Sequence, residues 1–212
     1  MRIIGMVFGC VVLAPLAAQG GARVYPAPSG LEASPLYKVR VNGQASFAYA
    51  VTVNPTWEYR NIAAPAAMTA FDMDAPVEVH IEVPLTVSVA TVHPDSRGIK
   101  ARVQPGLVSF VIPKADNYVV FFNGTRNEPL FVFANPAETQ TASSSEAGTI
   151  YYGPGVHEAG LIELKSNQTL YLAGGAFVKG RVKADNAENV RIRGRGILYG
   201  GEIGRASCRE RV

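Results

Sequence analysis

Between residues 37 and 133 apolar side chains recur at every second position in short runs, and no stretch repeats them at a helical spacing. The clearest run is Val77-Glu-Val-His-Ile-Glu-Val83, where the odd positions are apolar and Glu78, His80 and Glu82 stand between them. Successive side chains of a strand point to opposite faces, so this run predicts one core face and one wet face. Runs at 37–41, 45–53, 85–92, 107–112, 118–122 and 130–133 continue the pattern. Turn formers separate them, among them Asn42-Gly43, Pro94-Asp-Ser96, Pro105-Gly106, Asp116-Asn117 and Asn123-Gly124. Short strands at this spacing predict an all-β domain over residues 23–138, a jelly-roll-like β-sandwich.

Residues 139–148 lose their large apolar side chains and read as a linker. From 149 the alternation returns with a longer period laid over it. Leu170-x-Leu172-x-Gly174-x-Ala176-x-Val178 matches Val190-x-Ile192-x-Gly194-x-Gly196-x-Leu198, 20 positions on. Ile150-x-Tyr152 holds the same register one turn earlier, and Ile162-x-Leu164 matches Val182-x-Ala184. A coil of about 20 residues can hold three short strands, each pairing with the coils above and below. Inward positions then stack like on like, and corners take Gly or Asn. An antiparallel meander would not demand such register, and a leucine-rich repeat needs a Leu/Asn pattern absent here. Residues 149–201 are therefore expected to begin a right-handed parallel β-helix, with 156–164 as its cap.

The two ends stand apart from this pattern. Met1-Arg2, the apolar run 3–16 and the small residues Ala17, Ala18, Gly20, Gly21 and Ala22 have the layout of a secretory signal over 1–22. The protein is expected to be secreted or periplasmic, with no membrane association after cleavage. At the other end, Ile203-Gly-Arg-Ala-Ser-Cys-Arg-Glu-Arg-Val212 matches the translation of a common sequencing-adapter oligonucleotide, and residues 202–212 are expected to be an artefactual tail. On that reading the native frame runs on past Gly201, so the β-helix is truncated.

Setting the ends aside changes the composition. The two cysteines, Cys10 and Cys208, both lie there, so the remainder must be held by core burial and backbone pairing. The formal charge of +3 also shrinks, because the tail carries Arg205, Arg209 and Arg211 against Glu202 and Glu210. No basic stripe of the kind phosphate binding needs is present, and nucleic acid is not an expected partner.

Candidate chemistry is sparse. Trp57 and Tyr59, among polar residues in Asn54-Pro-Thr-Trp-Glu-Tyr-Arg60, could stack on a sugar ring or simply pack over the sandwich. His80 alternates with two Glu and should face solvent. No spacing suits a metal site, and no cofactor is expected. Asn123-Gly-Thr125 and Asn167-Gln-Thr169 fit the glycosylation triplet, which matters only in a eukaryotic source.

Several stretches also carry a resemblance. Tyr151-Tyr-Gly-Pro-Gly-Val-His-Glu-Ala-Gly160, Leu164-Lys-Ser-Asn-Gln-Thr-Leu-Tyr-Leu-Ala-Gly-Gly-Ala176 and Glu188-Asn-Val-Arg-Ile-Arg-Gly-Arg-Gly-Ile-Leu198 resemble the opening coils of β-helical glycoside hydrolases. The polygalacturonase-like family 28 and the dextranase-like family 49 are the groups concerned. The second also carries an N-terminal β-sandwich, which residues 92–136 resemble. The resemblance implies hydrolysis of a pectin-like or dextran-like polysaccharide, commonly with inversion, by paired aspartates. Those aspartates belong to middle coils, and no position here matches their motif. Glu158, Glu163 and Asp185 are read as corner or outward residues. This chain is thus expected to be the inactive head of a monomeric hydrolase, with no catalytic residue of its own. A polysaccharide lyase and a non-enzymatic β-helical adhesin remain open, since fold alone does not set function.

Overall fold

The computed structural model describes residues 21–53 and 64–200. The first eleven strands are β1 (Ala22–Val24), β2 (Lys38–Val41), β3 (Gln44–Ser46), β4 (Tyr49–Val53), β5 (Ala64–Met73), β6 (Val77–Glu82), β7 (Ala90–His93), β8 (Arg102–Gln104), β9 (Leu107–Ile112), β10 (Asp116–Phe122) and β11 (Leu130–Pro136). One sheet runs β3-β2-β6-β9-β8, and the other runs β1-β5-β11-β10-β7 with β4 also on β5. Val79, Ile81, Phe110 and Ile112 of the first sheet share one buried cluster with Phe71, Val120, Leu130 and Val132 of the second. Two sheets closing over one core make this a β-sandwich.

The alternation read from the sequence sets the register. Val77, Val79 and Ile81 stand opposite Ile112, Phe110 and Val108, all buried, while Glu78 and Glu82 are exposed and His80 is half-buried. Asn42 and Gly43 take φ of 46° and 78°, the two positive values that a tight hairpin turn requires, and Val41 pairs with Gln44 across it.

The sandwich departs from the sequence reading in several places: β1 and β8 were not expected, and Asp116-Asn117, expected as a turn, begins β10. The run 45–53 is not one strand. It breaks at Phe47-Ala48, leaving β3 in one sheet and β4 in the other. A buried Ser46 Oγ–Thr69 Oγ1 hydrogen bond of 2.7 Å ties the sheets together there. The run 85–92 pairs only from Ala90, as β7. Most significantly, β5 has no counterpart among the expected strands, although it is the centre of its sheet. Its Ala64–Met68 half pairs with β4 and its Phe71–Met73 end with β1, while β11 lies parallel along Ala67–Met73 on the other edge.

The coils are built from β12 (Thr149–Tyr152), β13 (Gly155–Glu163), β14 (Thr169–Leu172), β15 (Ala176–Lys183), β16 (Arg191–Gly194) and β17 (Ile197–Tyr199). They form two parallel three-stranded sheets, β12-β14-β16 and β13-β15-β17, as a parallel β-helix requires. Each coil holds two strands rather than three. The second is long, and its register shifts between Glu158 and Gly160. There Gly180 passes so close to the Gly160 carbonyl that a Cβ would sit 2.6 Å from it. Residues 156–163 of the stretch expected as a cap form the first rung of that sheet, at its end, paired with β15 alone.

Leu170, Leu172, Ala176 and Val178 are buried inside the coils with Ile162 and Leu164, and Ile150, Tyr152, Val182 and Val190 pack against them. Ile150 pairs with Leu170 and Ile162 with Val182, the 20-residue spacing expected. Between the second and third coils the spacing changes. Leu170 pairs with Ile192, not Val190, whereas Val178 still pairs with Leu198. Two extra residues enter before β16, at the corner holding Asn186 and Asn189 with φ of 48° and 56°. Because the shift is even, every side chain keeps its face.

Candidate functional site

The third coil recovers its register by shortening the next corner to Gly194-Arg195-Gly196. The amides of Arg195 and Gly196 both donate to the Leu172 carbonyl, at 2.8 and 2.9 Å. Gly194 has a φ of 117°, and a Cβ on it would lie 2.0 Å from that same oxygen. Only glycine allows this approach. The tight corner carries Arg195 to the sandwich.

There Arg195 Nε donates to Asp72 Oδ1 at 2.7 Å, and its Nη2 donates to the Pro136 carbonyl at 2.7 Å. Asp72, on β5, is 2% exposed and also accepts from the Glu138 amide at 3.0 Å. Burial opposes the Arg195 charge, but the Asp72 carboxylate beside it outweighs that penalty and raises its pKa. Tyr25 lies in the same cluster. Burial, then the Asp72 carboxylate, pushes its hydroxyl far above the ordinary range, although the two stop short of hydrogen-bond geometry. Gly174 leaves room for the Tyr25 ring, since a Cβ there would sit 1.9 Å from ring carbon Cδ1.

Further contacts widen the junction. Tyr49 of β4 stacks on Phe177 of β15, which stacks on Tyr199, at centroid distances of 6.2 and 5.4 Å. Residues 137–148 form no strand, but Glu138, Gln140 and Glu146 reach Tyr171 and Arg193 of the β12-β14-β16 sheet. Tyr171 Oη donates to Glu138 Oε2 at 3.0 Å, and burial, reinforced by that carboxylate, pushes the phenol up to about 12. Tyr151 stacks beneath the Tyr171 ring and Arg193 lies over it, while Arg193 also reaches Glu146 at 3.6 Å.

Chemically, the junction is a clamp. Asp72 is the only buried carboxylate among the described residues, and it is held by a guanidinium and an amide. The acids weighed from the sequence lie elsewhere. Glu158 pairs with Lys179 at 2.8 Å and Asp185 with Lys183 at 2.7 Å, both at the surface, and Glu163 is exposed. Trp57 and Tyr59 lie outside the described residues. His80 sits on the outer sheet face 3.1 Å from Glu78. Among the described residues no three His, Cys, Asp or Glu side chains cluster. The Asp72–Arg195 pair was not foreseen, because 123 positions separate its members and the only hint was the Gly-Arg-Gly corner.

No protein-family model matches the chain, and no curated protein matches it significantly. A solved structure does. The fold resembles that of Dex49A from Penicillium minioluteum. The TM-score is 0.63 at 18% identity, over 84% of this chain and 48% of that one. The chain spans about half the length of that structure, and at this identity the likeness is one of fold.

Proposed function

We propose that the chain is the non-catalytic N-terminal part of a secreted glycoside hydrolase acting on a polysaccharide, a dextran-like glucan before a pectin-like one. The observation that carries this reading is the docked pair of elements. A β-sandwich is clamped by Asp72 and Arg195 to the first coils of a parallel β-helix, in an arrangement similar to Dex49A. The resemblance of residues 151–198 to the opening coils of family 28 and family 49 hydrolases points the same way. Secretion rests on the signal-like layout of residues 1–22.

The side chains support this division of labour. Glu158, Asp185 and Asp72 are engaged with Lys179, Lys183 and Arg195, so none stands as one of two unpaired carboxylates that an inverting mechanism needs. Ile192 and Leu198 continue the inward columns of Leu170 and Val178, yet are 55% and 37% exposed. Exposed inward positions support further coils stacked upon them, which would carry the paired aspartates.

The test compares this chain with the product of the uninterrupted natural reading frame. Reducing-sugar release is followed on dextran and polygalacturonate. We expect no release by the 212-residue chain and cleavage of one polymer, dextran first, by the longer product. A longer product that cleaves neither overturns the reading, as does release by this chain alone.

A further inference from the structure

The two sheets of the sandwich have unlike outer faces. The outer face of β2, β6, β9 and β8 is polar, with Arg40, His80, Ser109 and Arg102 in one cross-strand row. On β10 and β11 the outward positions instead include Val119, Phe121, Phe131 and Phe133, each half-buried, with Thr91 and His93 of β7 beside them, so an apolar patch lies on the outer side of this sheet as well. One row runs across it as His93, Val119, Phe131, Met68 and Tyr49, in register from strand to strand. Its Tyr49 end lies under Phe177 of the coils. Its other end opens into a groove of about 450 Å³ floored by Val119 and Phe121. The row thus links the two places, while the groove itself is lined by residues of β7, β10 and the turn after β10 and by none of the coils.

The rim of the groove is polar and preorganised. His93 meets Phe121 edge to face at 5.3 Å, and its Nδ1 lies 3.0 Å from Asp95 Oδ1, which fixes the imidazole. The opposite wall is the turn after β10. Asn123, at φ 54°, accepts from the Ser88 amide at 2.8 Å and donates to the Thr86 carbonyl at 2.9 Å. That anchoring fixes the turn whose Thr125 and Arg126 line the groove together with Thr91. It also commits the amide of the first glycosylation triplet to the fold.

We propose that this groove binds a pyranose unit of the polysaccharide, as an accessory subsite on the sandwich. This rests on the polysaccharide reading above and extends it to a surface outside the coils. A pyranose has an apolar C–H face and an equatorial belt of hydroxyls. The Phe121 and Val119 floor suits the first, and the hydroxyls of Thr91 and Thr125, the His93 ring and the Arg126 guanidinium suit the second. A nucleic acid would call for several cations, whereas the rim holds one arginine.

The intact chain is titrated with isomaltotriose and, separately, with trigalacturonate, and amide NMR shifts are mapped. Saturable shifts confined to residues 91–93 and 119–126 are expected with one of them, and the one that binds identifies the polymer. Phe121→Ala should weaken binding about tenfold, as loss of a stacking ring implies. Arg126→Ala, at an exposed position that leaves the fold intact, should weaken it as well, more so if trigalacturonate is the ligand. No saturable binding of either sugar, shifts mapping elsewhere, or binding unchanged in both variants overturns the site. Such a failure leaves the hydrolase reading standing, since that is judged on cleavage by the longer product.

Discussion

The sandwich and the coils obey the same alternation of apolar and polar positions, yet they bury their apolar faces along different directions. In the sandwich each inward side chain meets one from the facing sheet, and the core closes on itself: Val77, Val79, Ile81, Val108 and Ile112 are fully enclosed. In the coils an inward side chain meets its counterpart one coil away. Leu170, with Ile150 on one side and Ile192 on the other, is enclosed, while Ile192 is mostly exposed. Lateral burial makes a unit complete in itself, whereas axial burial makes each rung depend on its neighbours. The coils therefore draw on the sandwich, through Asp72–Arg195, Tyr171–Glu138 and Tyr49–Phe177.

The largest expected effect separates these two modes. Ile81→Ala and Leu170→Ala each remove a fully buried aliphatic side chain, a loss of about 2–5 kcal/mol. Ile81→Ala should lower the stability of the whole described chain, because Ile81 shares its core with the facing sheet on which the coils dock. Leu170→Ala should open residues 149–199 alone, with hydrogen exchange and proteolytic cutting rising there while β6, β9 and β10 stay protected. If Leu170→Ala loosens both regions equally, the coils are not the dependent partner and the comparison fails.

The next effect concerns the clamp. Asp72→Ala leaves the Arg195 guanidinium without its carboxylate. Breaking a buried pair from one side costs about 3–5 kcal/mol, and the partial exposure of Arg195 lowers the expectation to about 2–3 kcal/mol. The loss should fall on docking, so that calorimetry resolves a separate, earlier transition for the coils. A single transition merely shifted downward would mean that the other contacts hold the two parts together without the clamp.

What was legible in the sequence follows the same division. The strand 77–83, the Asn42-Gly43 turn and the stacked positions after Thr149 could be read because their signal is local or strictly periodic. β5 could not. Ala64-Pro-Ala-Ala-Met-Thr-Ala-Phe-Asp-Met73 is poor in β-branched residues, and it is a strand because β1, β4 and β11 pair with it on both edges. The 22-residue step from Leu170 to Ile192 escaped because its compensation, the shortened corner at Gly194-Arg195-Gly196, depends on a carbonyl one coil below. The groove on the sandwich escaped for a similar reason. Pro94-Asp-Ser96 and Asn123-Gly124 read as turns, and only the pairing of β7 with β10 brings His93 and Gly124 to the lining of one groove. Trp57 and Tyr59, the aromatic pair singled out for sugar stacking, lie outside the described residues.

The smallest effect tests whether residues 137–148 act as a brace on the coils. Tyr171→Phe removes the hydrogen bond to Glu138 and should cost about 1 kcal/mol near neutral pH. Its pH dependence is the sharper readout. Burial and Glu138 raise the folded pKa of Tyr171 to about 12, above the ordinary value near 10. Between those values the unfolded chain has released the phenolic proton and the folded chain still holds it, so stability falls as pH rises. The contribution is therefore complete below about pH 10 and is lost as pH climbs toward about 12. Tyr25, Tyr37, Tyr49 and Tyr118 are shifted in the same direction, so the sandwich weakens in alkali as well. Tyr171→Phe should flatten the alkaline slope of coil opening, followed by exchange of the β14 amides, and leave the slope for β6 and β9 unchanged. An unaltered β14 slope would mean that the brace contributes nothing to the stack, and that the coils lean on the sandwich through Asp72–Arg195 and Tyr49–Phe177 alone.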